Sequence, residues 1–174
     1  MVIETVNEMK EMAVGETIAV VGLRSDKPSV FVEKLKNQHV QLLLIPAGER
    51  EKVSLSELFD NQVTNAEIEV LDCARDGCWE ADIIAFLDPV DPEESLLNRI
   101  KEVAVQKPVL SVFEETSAEA ESNAEKLQEK LPNSIILKVK IDPGKETATI
   151  SGTDPQSIEQ ISAMLKRAGF SVRA

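Results

Sequence analysis

The sequence predicts an α/β fold: a three-layer sandwich built on a mostly parallel sheet. Two observations carry that reading. Short apolar runs rich in Val, Ile and Leu recur along the chain, and most are continuous rather than polar at every second residue. Strands covered on both faces have this pattern. Segments with helical spacing separate the runs, and several open on explicit capping signals.

The predicted strands are Thr17–Gly22 (TIAVVG), Gln41–Ile45 (QLLLI), Ile68–Leu71 (IEVL), Asp82–Leu87 (DIIAFL), Pro108–Phe113 (PVLSVF), Ser134–Ile141 (SIILKVKI), Thr147–Ser151 (TATIS) and Phe170–Arg173 (FSVR). Pro28-Ser29 opens the first crossover helix, with Phe31 and Leu35 one turn apart. Ser54 and Glu57 cap a short helix through Leu58 and Phe59, and residues 60–66 read as an exposed connector. The neighbourhood of Trp79 (DGCWEAD) reads as a short helix pinned by one aromatic.

Asp91-Pro92-Glu93-Glu94 supplies an N-cap, a proline at the first helical position and acids in the first turn. Thr116 with Glu119 forms a capping box ahead of Ala120, Ala124, Leu127 and Leu131. Asp154-Pro155 repeats the cap-and-proline signal, and Gly169 supplies a stop. The order β-α-β-α-β-β-α-β-α-β-β-α-β argues for one sandwich. Residues 17–174 form that domain, and residues 1–16 form an N-terminal extension.

Composition excludes several functions. At 174 residues the chain favours one domain. Its 31 acids against 19 bases give a net charge of −12, which repels nucleic acid and anionic lipid. Aromatics make up 3% and tyrosine is absent, so platforms for stacking bases are scarce. No stretch approaches the ~18 apolar residues of a membrane span. The N-terminus lacks the basic-then-apolar order of a secretory signal, and Cys73 and Cys78 make no disulfide framework. The expected location is cytoplasmic.

In an open α/β sheet, ligands bind beyond the carboxyl ends of the strands, where the strand order reverses. The candidate loop after the first strand is Gly22-Leu23-Arg24-Ser25-Asp26-Lys27, where a dinucleotide fold holds its phosphates. Measured against GxGxxG, Gly22 makes the tight turn. Arg24 stands at the second glycine and Lys27 at the third. A side chain at the second position enters the usual diphosphate volume. Either Arg24, Ser25 and Lys27 bind phosphate by charge and hydroxyl, or the loop is a shortened, solvated one in a fold without cofactor.

After the second strand, Glu49, Arg50 and Lys52 stand where an acid reads ribose hydroxyls or an arginine accommodates a 2′-phosphate. Arg50 and Lys52 tilt the reading towards the phosphorylated cofactor, and an exposed charged turn is the alternative. Asp88 and Pro89 end the fourth strand, where the acid either approaches the cofactor or caps its own loop. Cys73 and Cys78 have no second pair and no nearby histidine to complete a zinc site, so no metal is expected. His39 is the sole histidine and lies away from the strand exits. No general acid or base stands out, and the catalytic residues stay unassigned.

ADIIAFLDP (Ala81–Pro89), SNAEKLQEKLPNSIILKVKI (Ser122–Ile141) and ATISGTDPQSIEQISAMLKRAGFSV (Ala148–Val172), together with IAVVG, resemble segments of the NADP-binding Rossmann domain of one oxidoreductase family. That family includes the deazaflavin-coenzyme-dependent NADP reductases. The resemblance spans most of Thr17–Val172. It implies a Rossmann-type sandwich, NADP as cofactor and hydride transfer, with Gly22, Arg24, Ser25, Arg50 and Pro89 near cofactor-contacting positions. Three departures stand against it: the broken glycine run, the shortened DPGKE segment after Ile141, and an end at Ala174 where relatives usually continue.

A rival resemblance is to small CoA-binding Rossmann domains, through IAVVGLRSDKPS and a following strand that ends in Pro46. A third reading is a non-catalytic interaction protein that kept the fold and lost its cofactor, with Arg24, Asp88 or Phe113 filling the crevice. Exposed edge strands also leave a homodimer open.

Overall fold

In the computed structural model, eight strands form one sheet in the order β3-β2-β1-β4-β5-β6-β7-β8. The residues described are 15–26, 28–46, 48–87, 93–114 and 117–174. Lys27, Asp88, Pro89, the Asp91-Pro92 cap and Thr116 lie outside them, as does the N-terminal extension up to residue 14.

The strands are β1 (Thr17–Val21), β2 (Gln41–Ile45), β3 (Glu67–Val70), β4 (Ile83–Leu87), β5 (Pro108–Phe113), β6 (Ile135–Asp142), β7 (Thr147–Ser151) and β8 (Ser171–Arg173). The helices are α1 (Val30–Leu35), α2 (Glu49–Asp60), α3 (Ala74–Glu80), α4 (Glu94–Ile100), α5 (Ala118–Lys130) and α6 (Pro155–Arg167). β1 to β6 pair in parallel, in the spatial order 3-2-1-4-5-6. β7 runs antiparallel to β6, and β8 runs parallel to β7. The predicted α/β sandwich with a mostly parallel sheet is the fold observed.

The continuous apolar runs are explained by the two faces they cover. On one face Ile18, Val20, Leu42 and Leu44 pack with Phe31, Leu35, Leu55, Ile161 and Leu165 of α1, α2 and α6. On the other, Ala19, Val21, Ile84 and Phe86 pack with Cys78, Leu97, Ile100 and Leu127 of α3, α4 and α5. Alternate residues of one strand therefore serve opposite layers. The β6–β7 hairpin closes where Asp142 Oδ1 accepts from the amides of Gly144 (3.1 Å) and Lys145 (3.2 Å), an Asx turn.

Four local expectations are corrected. α2 starts at Glu49, not at Ser54: Glu49 and Glu51 occupy its first turn, where acids complement the helix dipole. The charged stretch after β2 is thus helical rather than a turn. α3 stands between β3 and β4 as a further crossover, because both strands join the same parallel sheet and cannot be linked by a hairpin. Trp79 does not pin α3, for its side chain is 68% exposed. The helix is held instead by buried Ala74, Gly77 and Cys78, with a Cβ at Gly77 falling 3.1 Å from Leu71 Cδ1 and 3.3 Å from Ile45 Cδ1. Finally, α5 is capped by Ser117, whose hydroxyl accepts from the Ala120 amide at 3.1 Å.

Candidate functional site

The strand order reverses between β1 and β4. From β1 the chain moves to β2 and β3, then returns to β4 on β1's other side. The loop after β1 therefore lies at the carboxyl rim, beside the switch point where open α/β sheets hold ligands. Gly22 leaves β1 at φ 93°, a left-handed turn that a β-carbon would strain. Leu23 follows and is buried, anchoring the loop to the core.

The polar residues of this loop are engaged within the protein. Arg24 Nε and Nη2 donate to Asp26 Oδ1 and Oδ2 at 3.1 and 2.9 Å. The Ser25 backbone N–H donates to Glu51 Oε2, across from the first turn of α2, at 3.1 Å. Lys52 Nζ lies 2.6 Å from Asp72 Oδ1. That hydrogen bond is the main cause holding the lysine above its ordinary pKa. Arg50 is exposed in the first turn of α2 and makes no ion pair with a described residue.

A cavity of about 350 Å³ opens at the same rim. Gly22, Leu87, Val112 and Ile141 bring it to the ends of four strands, β1, β4, β5 and β6. Phe31 and Phe113 supply aromatic walls, while Ser29, Ser117, Glu114 and Glu119 bring polar groups. Arg24 and Phe113 border this space without filling it. Such a cavity takes a ring-sized group, with hydroxyls and carboxylates available for orientation.

Gly22, Leu23, Arg24 and Ser25 are thus gathered beside the cavity, whereas Arg50 stands across the loop on α2. Glu51, Glu114, Ser117 and Glu119 were not singled out from the sequence. Glu51 carries no signal as a site residue because its pairing with Ser25 spans 26 residues, and Glu119 reads as the capping partner of Thr116 rather than as a cavity carboxylate.

His39 is exposed just before β2, at the opposite rim of the sheet. Cys73 is exposed and Cys78 buried, both as free thiols; burial pushes the Cys78 thiol up to about 12. Among the described residues no group of three or more His, Cys, Asp or Glu side chains is placed to hold a metal. No described helix is long and apolar enough to cross a membrane.

No family model and no curated protein matches the sequence. Solved structures do. A pyrroline carboxylate reductase from Plasmodium falciparum with NADP bound superimposes with a TM-score of 0.59 at 14% identity, covering 91% of this chain and 57% of that one. For an imine reductase from Myxococcus stipitatus in complex with NADP+ the values are 0.61, 17%, 90% and 54%. For a 3-hydroxyisobutyrate dehydrogenase from Mycobacterium tuberculosis they are 0.60, 12%, 91% and 53%. The chain spans little more than half the length of these proteins. What it shares with them is the Rossmann-type α/β sandwich.

Proposed function

We propose that this chain is the cofactor-binding part of an NADP(H)-dependent oxidoreductase. The observation that carries the reading is the open cavity at the carboxyl rim, next to the left-handed Gly22 turn. Its volume of about 350 Å³ suits one end of a dinucleotide, and the loop after β1 lies where the diphosphate would follow. The reductase and dehydrogenase structures with the same fold, two of them holding NADP or NADP+, favour the same class of ligand. The segments ADIIAFLDP and ATISGTDPQ favour kinship with deazaflavin-dependent NADP reductases in particular.

The residues fit such a group at the cavity and the turn, and less readily at the phosphates. Gly22 and Leu23 set the path of the loop. Ser25 offers an amide and a hydroxyl, and Arg24 and Lys27 offer charge. Arg50 would meet a 2′-phosphate, and Asp88 and Pro89, which follow β4 in the sequence, stay candidates for the same group. Phe31 and Phe113 give the cavity apolar walls against which a flat ring would pack. When bound, the cofactor supplies hydride transfer, and the protein's part is to hold and orient it.

A specific observation favours a second reading, a non-catalytic interaction protein without cofactor. The Arg24 guanidinium and the Ser25 amide of the phosphate loop are already taken by carboxylates. Titration calorimetry with NADPH, NADH and CoA separates the readings. Saturable NADPH binding, tighter than NADH and without competition from CoA, is the expected result. No heat with millimolar NADPH removes the oxidoreductase reading, and binding of CoA alone replaces it with the CoA-domain alternative.

A further inference from the structure

A Glu at the third position of a helix ordinarily reaches back to the amide of its own N-cap. Glu51 holds that position in α2, where Gly48 is the N-cap and makes no side-chain cap bond. Its carboxylate instead crosses to the other loop and accepts from the Ser25 amide, 26 residues away in sequence. The amide it occupies belongs to the turn after β1, beside the cavity and at the switch point, where an N–H pointing outward serves to receive a ligand's anion.

From this geometry we infer that Glu51 is an internal occupant of the loop's phosphate position. It competes with an incoming phosphate for the Ser25 amide, and so sets the affinity for a diphosphate ligand. The inference rests on the proposed nucleotide site and adds to it the residue that regulates entry. Two consequences follow from the charge. A ligand phosphate must displace the carboxylate before it reaches the amide. Until then the two anions repel, so wild-type affinity is held low. Arg24 offsets this repulsion only in part, because its guanidinium starts out paired with Asp26 and has to leave it to meet a phosphate.

The test measures NADPH affinity by calorimetry for the wild type, Glu51→Ala, Glu51→Gln and Glu57→Gln. Glu57 lies on the same helix, about 9 Å further along its axis at ~1.5 Å per residue. It serves as a control for bulk charge. Glu51→Gln keeps the shape and an acceptor, so it guards against misfolding of the alanine variant. Removing one like charge at about 4 Å in water corresponds to a gain of about fivefold.

The expected result is at least that gain for both Glu51 variants and none for Glu57→Gln. Inorganic pyrophosphate should likewise bind the Glu51 variants more tightly than the wild type. Wild-type binding with unchanged affinity in the Glu51 variants overturns this inference and leaves the proposed cofactor standing, as does an equal gain in Glu57→Gln. Absence of NADPH binding in all four proteins overturns both.

Discussion

Arg24 and Asp26, two residues apart, face each other in a two-point ion pair with contacts of 3.1 and 2.9 Å. Their side chains are 50% and 62% exposed. A pair so exposed contributes only about 0–1 kcal/mol, so a phosphate can draw the guanidinium away from it. Asp26→Asn should therefore tighten NADPH binding several-fold by releasing Arg24, and Arg24→Glu should abolish it. Neither change should shift stability by more than about 0.5 kcal/mol, as is usual for exposed sites. Calorimetry and urea unfolding check the two statements. Unchanged affinity in Arg24→Glu would remove that side chain from the site.

Gly152, just after β7, leaves no room for a side chain. A β-carbon there would lie 2.3 Å from Leu137 Cδ2 and 3.3 Å from the Ile136 carbonyl oxygen. Leu137 is fully buried on β6 and has little room to retreat from an added methyl. Gly152→Ala should destabilise the fold by about 1–3 kcal/mol, the usual cost of overpacking. Urea unfolding should show a lower midpoint at an unchanged slope. Ligand affinity should not change, since Gly152 adjoins the amino end of β6 rather than the carboxyl rim.

The centre of the sheet was legible because β1, β2, β4 and β5 are apolar on both faces. β3, β6 and β7 showed as shorter or alternating runs, and each of the eight runs became a strand. Capping chemistry located the helix starts at Ser29 and Asp154, whose side chains cap α1 and α6, and came within one residue at α5, where Ser117 caps in place of Thr116. It failed at α2, where Gly48 offers no side chain and the helix begins in charged residues resembling a turn. α3 is faint in the sequence for a related reason. Its buried residues Ala74, Gly77 and Cys78 are small, so its apolar stripe is faint, while the conspicuous Trp79 faces solvent.

The site divides in the same way. The position of the loop follows from topology and was readable, with Gly22 at its start. The partners of its polar groups depend on pairings over long sequence separations. No spacing rule brings Glu51 to Ser25 or Asp72 to Lys52. Only Arg24 and Asp26, neighbours in the chain, had a pairing that the sequence itself contained.

Cys73 and Cys78 lie five residues apart in very different surroundings. Cys73 is exposed ahead of α3. Cys78 is buried, and desolvation pushes its thiol up to about 12. Since only the thiolate reacts, a thiol reagent at pH 8 should modify one cysteine in the native protein and both after unfolding. The same burial predicts a dependence of stability on pH. The folded state keeps a proton that the unfolded thiol releases near its ordinary value of 9.0. Stability should therefore fall as pH rises past about 9, and continue to fall towards about 12. Lys107 donates to the carbonyls of Cys78 and Trp79 at 2.8 Å. Desolvation lowers its pKa, so its own contribution to stability rises with pH and opposes the thiol's. Comparing urea midpoints of the wild type and Cys78→Ala between pH 8 and 10.5 separates the two effects. The wild type should lose stability with pH more steeply than the variant, and parallel profiles would show that the buried thiol titrates normally.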